Sequence, residues 1–380
     1  MECDFCNTEK LKIAYKVPTT RRNLSVYICE RCGLVQSFPK KDHVKAGKIS
    51  ISADADWGNI RYGKSFVSKK AIKKLQKILD FKQIQNCLDI GSNRGAFVLE
   101  LSRLSSKTNI VAIEPDNRIL DNYRNVKNIE LINNRFEKTK LEKNIFDLVY
   151  CSHTLEHLKS PKKSLKKIFD VMRPEGILYL EVPDINAISN PHMIEEWFID
   201  KHLYHFSPNM LKNYLEDQNF RMLEMDASDG LNIIIIAKKS VSKNLESKNK
   251  HASEFQENFN LVKNYKSILK NNHIKLRDMG LHINKIAKEK NLVIWGAGRI
   301  FDQIIKIGKL DLQLVNGLVD KFLSSYLDEI RKVPLRNPDQ IDWKKQDIVF
   351  ISSREFFDEI KKEVRKKNRR IKILSLKDFF

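Results

Sequence analysis

Residues 86–102 read NCLDIGSNRGAFVLELS. A short apolar run ending at Ile90 meets two glycines four apart, Gly91 and Gly95, and then a helix-like run. This is the pattern of a strand, a tight turn that receives a phosphate or nucleoside, and a helix. A dinucleotide turn has the form G-x-G-x-x-G, and its second glycine lets the backbone approach a pyrophosphate. Asn93 stands at that close-approach position. The turn therefore argues against NAD or FAD and for a cofactor without a pyrophosphate. Glu114 ends the next strand, in VAIEP. A carboxylate there accepts hydrogen bonds from both hydroxyls of a ribose.

Outward from this turn the chain alternates. Strand patterns at NIVAIEP, IELINN, FDLVYCS and GILYLEVP are separated by helical patterns such as AFVLELSRL and KSLKKIFDVM. Strands joined through helices predict a parallel, doubly wound sheet. The last two strands, FRMLEMDAS and NIIIIAKK, have only a short Asp-Gly turn region between them, so they should pair antiparallel. Residues 241–290 are polar and Lys/Asn-rich with helical periodicity and are expected to form a helical linker. From Asn291 a second α/β pattern of about four strands predicts a small Rossmann-like domain over 291–380. Its turn, WGAGRIF, has G-x-G but Phe301 where the third glycine should be, and Asp320 ends the following strand. An incomplete fingerprint of this kind reads as a scaffold before it reads as an NAD site.

A chain of 380 residues suggests two or three domains. Net charge is +21. Lys, Asn and Ile are abundant throughout, so this charge reads chiefly as solvated surface, although it leaves an anionic partner such as RNA in view. The N-terminus has no apolar h-region, and the most apolar stretch, LNIIIIA, is too short to span a bilayer. A cytoplasmic location is the expectation. Of six cysteines, four form two pairs, Cys3/Cys6 and Cys29/Cys32, separated by twenty-two residues. Two C-x2-C knuckles complete a tetrahedral four-thiolate site, which suits a structural Zn²⁺ and leaves no open position for chemistry. Residues 1–45 are thus expected to be a zinc-ribbon-like domain, and residues 46–240 the main α/β domain. Cys87 and Cys151 lie in strand patterns and read as small buried apolar residues.

With these residues in place, the chain resembles the class I S-adenosylmethionine-dependent methyltransferases over roughly residues 60–240. LDIGSNRGAF looks like their first motif, which sets Asp89, Gly91, Ser92, Asn93 and Gly95 around the cofactor. IEP, with Glu114 and Pro115, looks like their ribose motif. RFEKT occupies the adenine-side loop, with Phe136 as the ring-packing candidate. FDLVYCSHTLEHLKSP looks like the fourth-strand signature and contributes Cys151 and Ser152 to the cofactor pocket. Tyr62, in IRYGKSF, is the candidate lid. His153, Glu156 and His157 also match H-x-x-E-H, a zinc-peptidase pattern. That segment, however, follows a strand after which these methyltransferases carry an LEH loop. Local packing and lining of the cofactor pocket are its expected roles.

The methyl acceptor needs alignment and, where required, proton removal. DKHLYHFSPNML offers His202, Tyr204 and His205. Alternation sets His202 and Tyr204 on one side of an extended piece and His205 on the other. Packing is the expected role of His205. A four-cysteine zinc domain, a methyltransferase and a small Rossmann-like domain together resemble the deoxysugar C-methyltransferases that act on nucleotide-linked keto sugars. The resemblance implies His202 as general base and a nucleotide-sugar substrate. It also makes the C-terminal domain one wall of a substrate cleft, where Arg299 could meet a diphosphate. Ile199 and Lys201 stand where that family has a tyrosine and a glutamate. The LEH loop is closer to general small-molecule and glycan methyltransferases, so C- and O-methylation both stay open. The rival readings are a zinc-knuckle RNA methyltransferase, a non-catalytic binding protein of the same fold, and an NAD-dependent oxidoreductase.

Overall fold

A computed structural model describes residues 1–18, 20, 23–40, 65–116, 123–240, 253–325, 327–354 and 356–380. The chain forms two compact units. The first contains the described residues up to Ile188 together with Phe198–Lys263; the second contains Ser189–Trp197 and Asn264–Phe380.

The first unit opens with β1 (Leu11–Lys16), β2 (Ser25–Cys29) and β3 (Val35–Phe38), paired antiparallel. The cysteine knuckles lie just before β1 and at the end of β2. The chain then runs through α1 (Ser65–Leu75), β4 (Asn86–Ile90), α2 (Ala96–Leu104), β5 (Asn109–Ile113), β6 (Ile129–Ile132) and β7 (Phe146–Ser152). It continues with α3 (Pro161–Val171), β8 (Met172–Pro183), β9 (Tyr204–His205), α4 (Pro208–Asp217), β10 (Phe220–Asp226) and β11 (Asn232–Lys239).

Two of the helix starts are written locally. Ser160 and Ser207 cap α3 and α4 by accepting from Lys163 N and Met210 N, and each is followed by proline at the first helical position. Seven strands form one sheet in the order β10-β11-β8-β7-β4-β5-β6. Strands β4 to β8 pair in parallel. Only β11 runs against its neighbours, β8 and β10, which agrees with the antiparallel pairing expected from the Asp-Gly turn region. Cys87, Leu88, Ile90, Leu148, Val149, Leu178 and Leu180 are buried, as a sheet covered on both faces requires. The order reverses between β4 and β7, so the carboxyl ends of those strands flank the crevice where such folds bind ligands. A short fourth strand, β9, joins the N-terminal sheet beside β3. The fold of this unit is α/β of the class I methyltransferase type, with an N-terminal cysteine cluster compatible with a zinc ribbon.

Helix α5 (Phe255–Ala287) is 33 residues long and buries Val262, Tyr265, Leu276, Met279 and Ile283. After it come β12 (Leu292–Trp295), α6 (Arg299–Lys306), β13 (Gly317–Val319), β14 (Glu329–Ile330), β15 (Val333–Arg336), β16 (Ile348–Ile351), α7 (Phe357–Lys367) and β17 (Lys372–Ser375). Their sheet has six strands, ordered β14-β15-β13-β12-β16-β17, and is parallel except at β14–β15. The sequence pattern predicts about four strands; the other two come from a short hairpin with too few residues to carry a period. Among the described residues, no helix is long and apolar enough to cross a membrane.

Candidate functional site

The turn after β4 is held from two sides. Gly91 N and Ser92 N both donate to Ile113 O at the end of β5, at 2.8 and 3.1 Å. Gly91 and Gly95 have φ of +75° and +76°, where a side chain is strained. A Cβ on Gly91 would stand 2.2 Å from Thr154 Oγ1, and one on Gly95 would stand 2.4 Å from the Tyr123 ring. Tyr123 closes the turn on its other side. Its hydroxyl donates to Asn93 O at 2.9 Å, which leaves it to accept from Ser92 Oγ at 2.7 Å.

Glu114 is fully buried at the tip of β5. Its Oε2 accepts from Asn93 N at 3.1 Å, and its Oε1 accepts from Asp116 N at 2.9 Å. These bonds set the direction of the carboxylate and tie it to the glycine turn. Asp89, 1% exposed, is the penultimate residue of β4. Asn93 Oδ1 is buried and has no hydrogen-bond partner among the described residues. A buried amide oxygen without a partner is costly. Two side-chain-free turn residues, an aimed carboxylate and this acceptor together fit a ribose-bearing cofactor that lacks a pyrophosphate.

The other expected pocket residues divide. Ser152 ends β7 and donates to Glu181 Oε2 at 2.7 Å. Pro115 is exposed, next to Glu114. Cys151 is fully buried in the core, so only its backbone could line a pocket. Phe136 is also in the core, with Lys167 Nζ 4.6 Å over its ring, so that face is closed to an adenine. Tyr62 lies outside the described residues.

The segment after β7 builds a second cluster. Leu155–His157 form a single 3-10 turn, and His153 takes a left-handed φ of 49°. The H-x-x-E-H spacing therefore does not produce a helical two-histidine face. Instead, Glu156, His157 and His202 each bring a donor atom within 4.8 Å of the others. The His157 and His202 rings lie 4.9 Å apart. The backbone stitches the two segments: Leu203 N donates to Glu156 O at 2.9 Å, and His157 Nδ1 bonds Lys201 O at 2.8 Å. His153 Nε2 lies 3.9 Å from Glu181 Oε1.

The neighbours of His202 are structural. Tyr204 Oη donates to Lys159 O and accepts from Lys40 Nζ, both at 2.7 Å. His205 Nε2 pairs with Ser37 Oγ at 2.9 Å, and burial pushes its pKa down to about 3, so it is a neutral core residue. Tyr204 and His205 are adjacent residues of β9, and both are buried. Ser37 N also donates to Leu203 O at 2.9 Å, which anchors the His202 segment to β3.

All four N-terminal cysteines converge, each sulfur within 4.8 Å of the others. Cys3 Sγ–Cys32 Sγ and Cys6 Sγ–Cys29 Sγ are each 3.5 Å, and none is in a disulfide. A tetrahedral ion with metal–sulfur bonds near 2.3 Å separates its sulfurs by about 3.8 Å. The donor set fits such an ion.

In the second unit, a carboxylate also meets the glycine turn at Gly296. Asp320 Oδ2 accepts from Ala297 N at 3.1 Å, and its Oδ1 accepts from Phe322 N and Leu323 N at 3.0 and 2.9 Å. This carboxylate fastens its own turn.

Three contributors are not singled out by sequence reasoning: Thr154 against Gly91, Tyr123 over Gly95, and Glu181 behind Ser152. Glu181 lies near the end of a strand signature, LYLEVP, and an acid at a strand's carboxyl end is the available signal. Thr154 and Tyr123 carry none, because their contacts are made only by folding.

Comparison with known proteins gives matches to part of the chain. Residues 64–225 match a family model described as a methyltransferase domain. A tRNA U34 carboxymethyltransferase of Desulforapulum autotrophicum is 27% identical over 140 residues, 35% of this chain and 40% of that protein. The ubiquinone/menaquinone biosynthesis C-methyltransferase UbiE of Wigglesworthia glossinidia brevipalpis is 32% identical over 104 residues, 25% of this chain and 42% of that protein. The chain thus spans about two fifths of the length of the curated relatives it matches. Among solved structures, an S-adenosylmethionine-dependent methyltransferase from Mesorhizobium loti aligns with TM-score 0.37 at 14% identity, covering 44% of this chain and 96% of that one. A methyltransferase from Aquifex aeolicus aligns with TM-score 0.37 at 18% identity, covering 47% and 99%. Residues 64–225, a little under half of the chain, are thus similar in sequence to a methyltransferase domain.

Proposed function

We propose that this protein transfers a methyl group from S-adenosylmethionine to a small acceptor, a nucleotide-linked sugar, in surface-glycan or secondary-metabolite synthesis in the cytoplasm. One observation carries the reading: the Glu114 carboxylate is bonded to the backbone of the Gly91–Gly95 turn. When bound, the cofactor supplies an activated sulfonium methyl. Glu114 accepts from the ribose hydroxyls, and the two glycines let the backbone approach the nucleoside. Asp89 and Gly91 lie near the methionine end, and Ser92 and Asn93 complete the turn around the cofactor. His202 serves the acceptor, as the general base that the family resemblance assigns to it. The cysteine cluster holds a structural Zn²⁺.

The test is mass spectrometry of a nucleotide-sugar pool incubated with the enzyme, with and without S-adenosylmethionine. A cofactor-dependent gain of one methyl in one pool member supports the reading. An unchanged pool, with the cofactor bound, counts against a sugar acceptor.

A second reading, an RNA methyltransferase, is favoured by the net charge of +21 and by the relative named for tRNA. It forecasts RNA binding whose affinity falls steeply with salt. Methylation of small acceptors in RNA-free protein argues against it.

A further inference from the structure

We infer that Glu156, His157 and His202 form a binding site for a divalent transition-metal cation beside the cofactor turn, separate from the four-cysteine cluster. Each residue brings one donor atom within 4.8 Å of the other two. The way His157 is held suits a cation. Its Nδ1 lies 2.8 Å from Lys201 O, and a carbonyl oxygen can only accept. Nδ1 therefore carries the proton, and in the neutral ring Nε2 presents a lone pair. That lone pair lies 3.6 Å from Glu156 Oε1, which is itself an acceptor on a residue 2% exposed. A cation placed between them is attracted by both. An Nδ1–H bonded to a backbone carbonyl is also the usual way a metal-binding histidine is oriented.

The frame around the donors is fixed. Leu203 N donates to Glu156 O at 2.9 Å, so the backbone next to His202 is tied to the Glu156 backbone. Glu181, 3% exposed, adds a second buried carboxylate, 3.9 Å from His153. The His157 side chain is 35% exposed, which leaves an open side for a further ligand. Two imidazoles and one carboxylate suit Zn²⁺, Co²⁺, Fe²⁺ or Ni²⁺ better than Mg²⁺ or Ca²⁺. Thr154, two residues before Glu156, lies against Gly91, so the site adjoins the proposed cofactor turn. The ligand for the open side is then an oxygen of the methyl acceptor, a hydroxyl or a carbonyl. This purpose rests on the methyl-transfer reading, whereas cation binding itself does not. It deepens that reading at the acceptor and replaces one role in it: with the cation bound, His202 holds the cation that orients the acceptor and does not act as the general base.

The experiment uses the full chain loaded with one equivalent of Zn²⁺ and titrated with Co²⁺, followed by calorimetry and visible absorption. One further cation should bind per chain, with the d–d bands of a nitrogen and oxygen site and no thiolate charge-transfer band. His157→Ala and Glu156→Gln should each weaken it by about tenfold or more. Circular dichroism checks folding, and where Glu156→Gln does not fold, the variant at the partly exposed His157 decides the matter. Binding of no second Co²⁺, or equal binding by wild type and His157→Ala, overturns the assignment. S-adenosylmethionine is titrated in parallel. Cation binding without cofactor binding refutes methyl transfer and leaves the site standing; cofactor binding without the cation does the reverse.

Discussion

Glu114 Oε2 accepts a hydrogen bond from the backbone N–H of Asn93 at 3.1 Å, so the acid at the tip of β5 and the turn after β4 are a single unit. Removing the carboxylate takes away a charged acceptor aimed at a ribose. Charged hydrogen bonds contribute about 1.5–3 kcal/mol. Glu114→Ala should therefore weaken S-adenosylmethionine binding by roughly tenfold to a hundredfold. Isothermal calorimetry on folded variant measures this, and unchanged affinity removes Glu114 from the site.

Gly91 sits at φ +75° with its missing Cβ position 2.2 Å from Thr154 Oγ1. Gly91→Ala incurs a left-handed backbone penalty of about 1–2 kcal/mol, to which the clash is added. Thr154→Ala removes the clash but leaves the backbone penalty. The double variant should thus recover part of the stability lost by the single one, as read by urea unfolding. Full recovery, or none, contradicts the packing described here.

His205 gives a pH forecast with a definite sign. Its pKa in the folded protein is pushed down to about 3 from an ordinary 6.5. Below pH 6.5 the unfolded chain takes up a proton that the folded chain refuses. Stability is therefore present above that pH and is lost as pH falls toward 3, at up to about 1.4 kcal/mol per pH unit. His205→Gln should flatten this fall when wild type and variant are unfolded at matched pH. Parallel curves across the acid range between the two pKa values refute it.

The cysteine cluster forecasts one tightly held Zn²⁺ per chain by elemental analysis. So few N-terminal residues bury little core, and a metal supplies folding energy directly. Ser37 N donates to Leu203 O, so loss of the metal should reach the His202 segment. Chelation, or Cys29→Ser, should lower the melting temperature and raise hydrogen exchange at Ser37, whose amide makes the bond to Leu203 O. A melting temperature unmoved by complete zinc removal contradicts a structural role.

Much of the fold is legible in sequence, because it is written locally. CLDIG followed by AFVLELSRL carries a strand, a turn and a helix in one window, and the structure has β4 and α2 there. The antiparallel β10–β11 pair follows from the short Asp-Gly turn region between them. What escapes is non-local. β9 has two residues and exists only because β3 offers it an edge. The β14–β15 hairpin is equally short and contains Pro334. The spacing of His153, Glu156 and His157 suggests a pairing along one helix. The left-handed backbone at His153 breaks that face, and His202 joins from a distant segment. Phe136 differs in another way: its ring lies in the core.

Binding of a sulfonium nucleoside by the Gly91–Gly95 turn underlies the whole functional reading. Calorimetric titration of the full chain with S-adenosylmethionine, and with its demethylated product, tests it most directly. Saturable one-to-one binding of both is expected, competitive with each other and absent or much weakened in Glu114→Ala. No heat and no thermal shift with either compound would contradict it.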